Sequence, residues 1–320
     1  MGLVAPETVP LGHLRLHQFL GLEPGPRLLV TAAVHGHETC GTQALARLAQ
    51  ALDGGELQLL RGQLTLLPIA NPLAYRRQQR QGERNLNRRL VPMQAPQAYE
   101  DRVANQLCPL LAGHEVLLDL HSFEGDGEPF VMLGPRDNTG PLEPFAHAAA
   151  EARLARALGT RRIVEGWLSC CARGLAQRGA DPVGIAEAIG TTEAMRQRGG
   201  YGVTLECGQH RDPAAVDFAY AAVLRALACL GMAAAEPGQG RDDELEVLQL
   251  LAVIDRLHPQ DRFARAWRNF DAVEAGDCIG WRHDGQAVLA PSRGRLVFPD
   301  AAAQVGTEWV FWAQASDRKL

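Results

Sequence analysis

Lysine is almost missing from this chain. Of its 320 residues and 32 basic side chains, only Lys319 is a lysine, and it stands next to the last residue. A Schiff-base lysine or a P-loop Gly-Lys-Ser/Thr therefore has no place in the body of the sequence. Positive charge is not in excess either. The net charge of −5 argues against a general polyanion binder, so nucleic acid is not an expected partner. No apolar run approaches the roughly 18–20 residues that span a bilayer, so no membrane partner is expected. The opening MGLVAPETVP lacks the basic stretch and apolar core of a secretory signal. The seven cysteines form no CxxC pair, and the adjacent Cys170 and Cys171 have no zinc-site spacing. Reduced, mostly packed thiols and a cytoplasmic location are the expectation.

What is present is ordinary for a soluble globular chain: 46% hydrophobic and 22% charged residues. The length suits one large domain, or a large one and a small one. The basic residues other than Lys319 are all arginine, whose rigid fork binds carboxylates wherever it lines a cleft. Strand-like and helix-like segments alternate over the first two thirds. Leu28–Val34, Gln63–Ala70, Glu115–Leu120, Phe130–Leu133 and Gly202–Leu205 read as strands. Thr39–Leu52, Gln97–Leu111, Glu143–Leu158 and Pro213–Leu230 read as helices. Such alternation predicts an α/β fold, a mixed or parallel sheet covered by helices. Pro, Gly and charge interrupt the pattern at 233–243, which predicts a linker at 235–243 between a catalytic domain, 1–235, and a small β domain, 244–320.

Polar residues gather at the ends of the predicted strands, where ligands often bind in α/β sheets. His35-Gly36-His37-Glu38 lies at a strand-to-helix turn, where an HxxE spacing can aim an imidazole and a carboxylate at one point. His121, in Asp119-Leu120-His121, ends another strand. Two His and one Glu make a catalytic zinc set that leaves a position open. Glu124 forms a second HxxE with His121 and is a rival ligand. Glu206 ends the strand Thr204-Leu205-Glu206, where an unpaired buried charge is costly. It requires a partner, either a metal-bound water or one of the arginines. The stretch from Asn71 to Arg88 is too polar for a core and reads as a solvated basic loop or as a clamp for an anionic substrate.

Taken together, HGHE at 35–38, NPLA at 71–74, RQGERNLNR at 80–88, DLH at 119–121 and ECG at 206–208 resemble the motifs of the succinylglutamate desuccinylase and aspartoacylase family. That family is a branch of the zinc carboxypeptidase superfamily, and the resemblance extends over nearly the whole chain. It implies a zinc-carboxypeptidase-like sheet followed by a C-terminal β domain. It also implies one zinc per chain, held by His35, Glu38 and His121, with Glu206 as general base and later proton donor. Arg80 matches the arginine that polarises the scissile carbonyl. Asn87 and Arg88 match the pair that contacts a substrate carboxylate. Arg196 falls, by spacing only, where another carboxylate-binding arginine can stand. One residue departs from the pattern: Asn85 occupies the place of the family's Asp.

The implied activity is hydrolysis of the amide bond of a small anionic N-acyl amino acid by a metal-activated water. A carboxypeptidase-like peptidase is the nearest rival, and a non-catalytic binding protein on the same fold is another. Retention of Glu206 beside all three ligands argues against the second. The terminal segment resembles a biotinyl- or lipoyl-like barrel, but without a hairpin lysine it cannot be a carrier. The acyl group, the amine product and the oligomeric state, with a homo-oligomer among the options, are not fixed by the sequence.

Overall fold

The computed structural model describes residues 12–177, 182–234 and 245–320. The predicted linker at 235–243 lies outside them. The first part of the chain runs β1 (His17–Leu20), β2 (Glu23–Ala32), α1 (Cys40–Asp53), β3 (Arg61–Leu67), α2 (Pro72–Arg77), α3 (Tyr99–Ala112) and β4 (Val116–Phe123). It continues with β5 (Phe130–Leu133), α4 (Ala148–Ala157), β6 (Arg162–Glu165), α5 (Trp167–Gln177), α6 (Thr191–Arg196), β7 (Tyr201–Gln209) and α7 (Ala214–Cys229). The last part is all strand: β8 (Glu246–Asp255), β9 (Arg262–Phe263), β10 (Ala272–Val273), β11 (Cys278–Trp281), β12 (Ala287–Leu289), β13 (Gly294–Val297) and β14 (Glu308–Ala315).

The apolar runs become strands because helices cover both faces of the sheet. On one face Leu28, Val30, Leu118, Leu120, Val203 and Leu205 pack with residues of α1, α4 and α7. On the other, Leu29 and Leu117 pack with Val103, Leu107 and Leu111 of α3 and Met195 of α6. β2, β4 and β7 are parallel neighbours, and His121 stands opposite Glu206 in their register. Three functional strand ends therefore meet at one edge of the sheet.

Four of the terminal strands, β8, β10, β13 and β14, join the main sheet. β8 pairs parallel with β6, and one sheet of eleven strands runs in the order β1-β3-β2-β4-β7-β5-β6-β8-β14-β13-β10. Phe123 and Phe130 share a core with Leu248, Leu250, Phe270 and Phe311, while Ile279, Leu296, Val310 and Trp312 form a second core further out. The short β12-β11-β9 sheet completes this end.

The structure departs from the sequence reading at one helix boundary and in several short elements. The helix expected from Glu143 begins only at Ala148, because Asn138 and Phe145 form a β-bridge and the Asp137 side chain accepts the Ala148 N–H. β1, α2, β6, α5 and α6 were not foreseen. β6 and α6 are too short to show a period, and their partners come from distant parts of the chain.

Candidate active site

The turn after β2 carries His35 and Glu38. Its close approach to α2 requires a glycine: a Cβ on Gly36 would lie 1.9 Å from the backbone carbon of Ala74. Asn71 caps α2 through its side chain and donates its own N–H to the carbonyl of Ala33, which ties the NPLA segment to this turn. The arginine-rich loop that follows is held from α3. Buried Glu100 accepts from Asn71 Nδ2 and from the backbone of Gly82 and Arg84. Asp101 pairs with Arg84 at 2.7 Å.

His35, Glu38 and His121 converge. Their ligand atoms all lie within 4.8 Å of one another, and all three residues are buried. His35 Nδ1 is 2.7 Å from Glu38 Oε1, and His121 Nδ1 is 2.9 Å from Glu38 Oε2. The far nitrogen of each ring is anchored. His121 Nε2 donates to Asp119 Oδ2 at 2.8 Å, and Asp119 also accepts from the hydroxyls of Thr31 and Thr191. His35 Nε2 is 3.1 Å from Asn85 Oδ1, the same oxygen that accepts the Asn87 N–H at 2.9 Å. Accepting that N–H identifies the atom as the amide oxygen, so His35 Nε2 must carry the proton between them.

The tautomers follow from these anchors. With Nε2 protonated on both rings, each Nδ1 turns a lone pair toward the cluster. Two imidazole lone pairs and two carboxylate oxygens then face one another at hydrogen-bond distance. Such acceptors repel unless positive charge stands between them. Burial, with Arg80 adding to it, lowers the His35 pKa to about 3, whereas at His121 burial is outweighed by Asp119 and Glu38 and the pKa is raised, so without a cation that charge is a proton on His121 facing Glu38. A divalent cation satisfies all of them at once, and Nε2–H anchors of this kind are the usual support of metal-bound histidines. Asn85 thus orients His35 through a neutral amide oxygen.

Glu206 stands beside this group on β7. It is buried, and its Oε2 has no hydrogen-bond partner. Burial, reinforced by Glu38 and opposed by His121 and Arg80, raises its pKa to about 8. No ion pair of Glu206 with an arginine is among the described contacts, as the alternative reading of this residue required.

The arginines are placed unequally. Arg80 is half exposed, with Nη1 3.9 Å from Glu38 Oε1. Asn87 accepts the N–H of Thr191 at the start of α6. Arg88 donates from Nη2 to Glu308 of β14 at 3.2 Å and lies over the ring of Trp167. Arg196 is not brought to this group. It is buried, where Nε and Nη2 bond Glu151, Nη1 bonds Glu143, and Nη2 also reaches the carbonyl of Gly202. Spacing suggested a substrate carboxylate; the packing supplies the protein's own. Thr31, Thr191 and Glu308 escaped sequence reasoning. Lone polar residues carry no signal until the fold sets them against Asp119 and Arg88.

Comparison with known proteins bears on the family. Residues 24–138 match the model of the succinylglutamate desuccinylase/aspartoacylase catalytic domain, a segment that holds His35, Glu38, the arginine loop and His121 but not Glu206. None of the curated proteins matches the chain. Solved structures with the same fold include a succinylglutamate desuccinylase/aspartoacylase from Rhodobacter sphaeroides, 18% identical, covering 96% of this chain and 90% of its own, with a TM-score of 0.72. The product-bound ectoine utilization protein EutE (DoeB) from Ruegeria pomeroyi is 21% identical over 93% of this chain and 88% of its own, with a TM-score of 0.70. An aspartoacylase family protein from Mesorhizobium loti is 21% identical over 95% and 90%, with a TM-score of 0.68. The family that the motifs resemble is thus the succinylglutamate desuccinylase/aspartoacylase family, matched by its model over residues 24–138 and by fold over nearly the whole chain.

Proposed function

We propose that this chain is a zinc-dependent hydrolase that cleaves the amide bond of a small anionic N-acyl amino acid, with His35, Glu38 and His121 holding one zinc. The observation that carries the reading is the convergence of the buried ligand atoms of His35, Glu38 and His121, all within 4.8 Å of one another, with the unpartnered oxygen of Glu206 in the next strand. When bound, the ion supplies Lewis acidity toward the scissile carbonyl and toward an attacking water.

The remaining work belongs to the chain's own residues. Glu206 takes the proton from the water and returns it to the leaving nitrogen; without a cation its carboxyl keeps its proton to about pH 8, and the positive charge of an ion held beside it would favour the ionised form that the base role needs. The C–N bond breaks, the hydroxyl of water joins the acyl carbon, and a carboxylate and an amine leave. Arg80, at the open side, donates toward the oxygen on which negative charge develops. Asn87 and Arg88 orient the substrate carboxylate. Asp119, held by two hydroxyls, keeps His121 in register with the cluster.

The C-terminal strands form a second unit that borders this site. Support comes from Glu308, which reaches Arg88 from β14. Placed there, the unit narrows access and favours small substrates over long peptides. All seven cysteines are free, which suits a reducing, cytoplasmic compartment.

Elemental analysis of wild type against His121→Ala, combined with turnover on a panel of N-acyl amino acids, tests the reading. About one zinc in the wild type and little in the variant is expected at stoichiometric metal. Equal zinc in both sinks the ligand assignment.

A further inference from the structure

Two histidines at the mouth of the site have no part in the chemistry above. His37, from the HGHE turn, and His210, just past β7, meet ring to edge with centroids 4.6 Å apart. One nitrogen of each and a carboxylate oxygen of Glu38 all lie within 4.8 Å of one another. Among the described residues this is the only other group of His, Cys, Asp or Glu with metal-ligand spacing. We propose that His37, His210 and Glu38 form a second divalent-cation site, with Glu38 shared between the two sites. The sharing rests on the reading of the first site given above; the pairing of His37 with His210 does not.

The surroundings of His210 are those of a supported ligand. Its backbone N–H donates to the carbonyl of Phe123. Its Nδ1 is 2.8 Å from Ser122 Oγ, an anchor that leaves Nε2 for the ion. The same Ser122 donates its N–H to Glu38 Oε2 at 3.2 Å, so one residue fixes two members of the site. Glu124 Oε2 lies 3.7 Å from His210 Nε2, near enough to complete the shell after a small rotation. Its other oxygen is 3.7 Å from Arg211 Nη2, an exposed contact that water can replace. Glu124, the rival to the first site's ligands in the sequence, here faces the second.

Imidazole ligands select zinc-like ions over magnesium or calcium. His37 and His210 are only partly buried, so water completes the shell and exchange is faster than at His35 and His121. Repulsion between like ions weakens the second site further, and a bridging carboxylate offsets it, as in sites where two ions stand roughly 3.5–4 Å apart. The second site therefore fills after the first.

The test counts ions on the full-length protein. Metal-stripped wild type is equilibrated with rising free Zn²⁺, and bound zinc is measured per chain. The count should rise from one to two. In the double variant His37→Asn/His210→Asn it should stop at one, with the circular dichroism spectrum unchanged. A wild type that saturates at one, or a double variant that still reaches two, overturns the proposal. If the double variant does not fold, low-temperature electron paramagnetic resonance of Co²⁺-loaded wild type decides. A spin-coupled pair supports the site, and uncoupled or single Co²⁺ overturns it. One zinc in the wild type that His121→Ala removes defeats only the second site, whereas no zinc at all defeats both.

Discussion

Replacing Glu206 by Gln should move stability and activity in opposite directions. The side chain is buried, one of its oxygens lacks a partner, and burial first of all raises its pKa from 4.5 to about 8. In the unfolded chain the carboxyl ionises near 4.5, while in the folded, metal-stripped protein it keeps its proton until about 8. Below the unfolded value both states are protonated, and the group contributes nothing that depends on pH. As pH rises from there toward the folded value, the unfolded state gains by ionising and folding stability falls. At pH 7 that loss is about 3 kcal/mol, from 1.36 kcal/mol per pH interval of one. Gln does not ionise, so it escapes the loss. Its buried amide still lacks full hydrogen bonding, which returns about 1–2 kcal/mol of it. Urea unfolding of chelator-treated protein should therefore show Glu206→Gln more stable than wild type by about 1–2 kcal/mol at pH 7. The advantage should be gone by pH 5. Turnover per zinc-loaded molecule should meanwhile drop by at least about 100-fold, with a much smaller change in KM, since general acid–base help is worth roughly 10²–10⁴. A variant that is less stable at pH 7, or that retains kcat within a fewfold, refutes the reasoning. The first outcome would show Glu206 paired inside the domain, and the second would remove it from the chemistry.

Asn85→Leu removes the acceptor that orients His35 and should weaken zinc binding by roughly 10–100-fold, measured by competition with a chelator; unchanged affinity would show that the anchor is dispensable. Arg196→Met leaves Glu151 buried without its partner and should cost about 3–5 kcal/mol of stability. Its folded fraction should still bind zinc and turn over normally; a selective rise in KM would return Arg196 to the substrate site. Asp261 is buried at the C-terminal end, where burial is outweighed by the N–H groups of Leu257 and His283 and by Arg282, lowering its pKa from 3.8 to about 2. Its stabilisation of about 2 kcal/mol is present above the unfolded value and is lost as pH falls through about 2. Asp261→Asn should therefore destabilise at pH 7 and lose most of that difference near pH 2, as read by chemical denaturation.

From the sequence alone come the main strands and the candidate residues at their ends. Apolar runs long enough for buried strands place Leu28–Val34, Glu115–Leu120 and Gly202–Leu205 in a sheet, and polar residues at their ends cannot be accounted for by burial. Local pattern is enough for that, because period and strand-end position are properties of neighbouring residues. Other facts depended on residues far apart in the chain. The register that sets His121 against Glu206, the hydroxyls of Thr31 and Thr191 on Asp119, and the oxygen of Asn85 against His35 all join separate segments. The same holds for Arg196. Ten residues before Glu206 it resembled a substrate arginine, but Glu151 and Glu143, roughly fifty residues away in sequence, enclose it. The continuity of the sheet from β6 into β8 was hidden for the same reason: the Pro- and Gly-containing break at 233–243 marks a change of local pattern and is silent about pairing across it. Ligand types can be read from spacing, but a lone pair, a tautomer or an occupied guanidinium exists only once the fold has set the partner beside it.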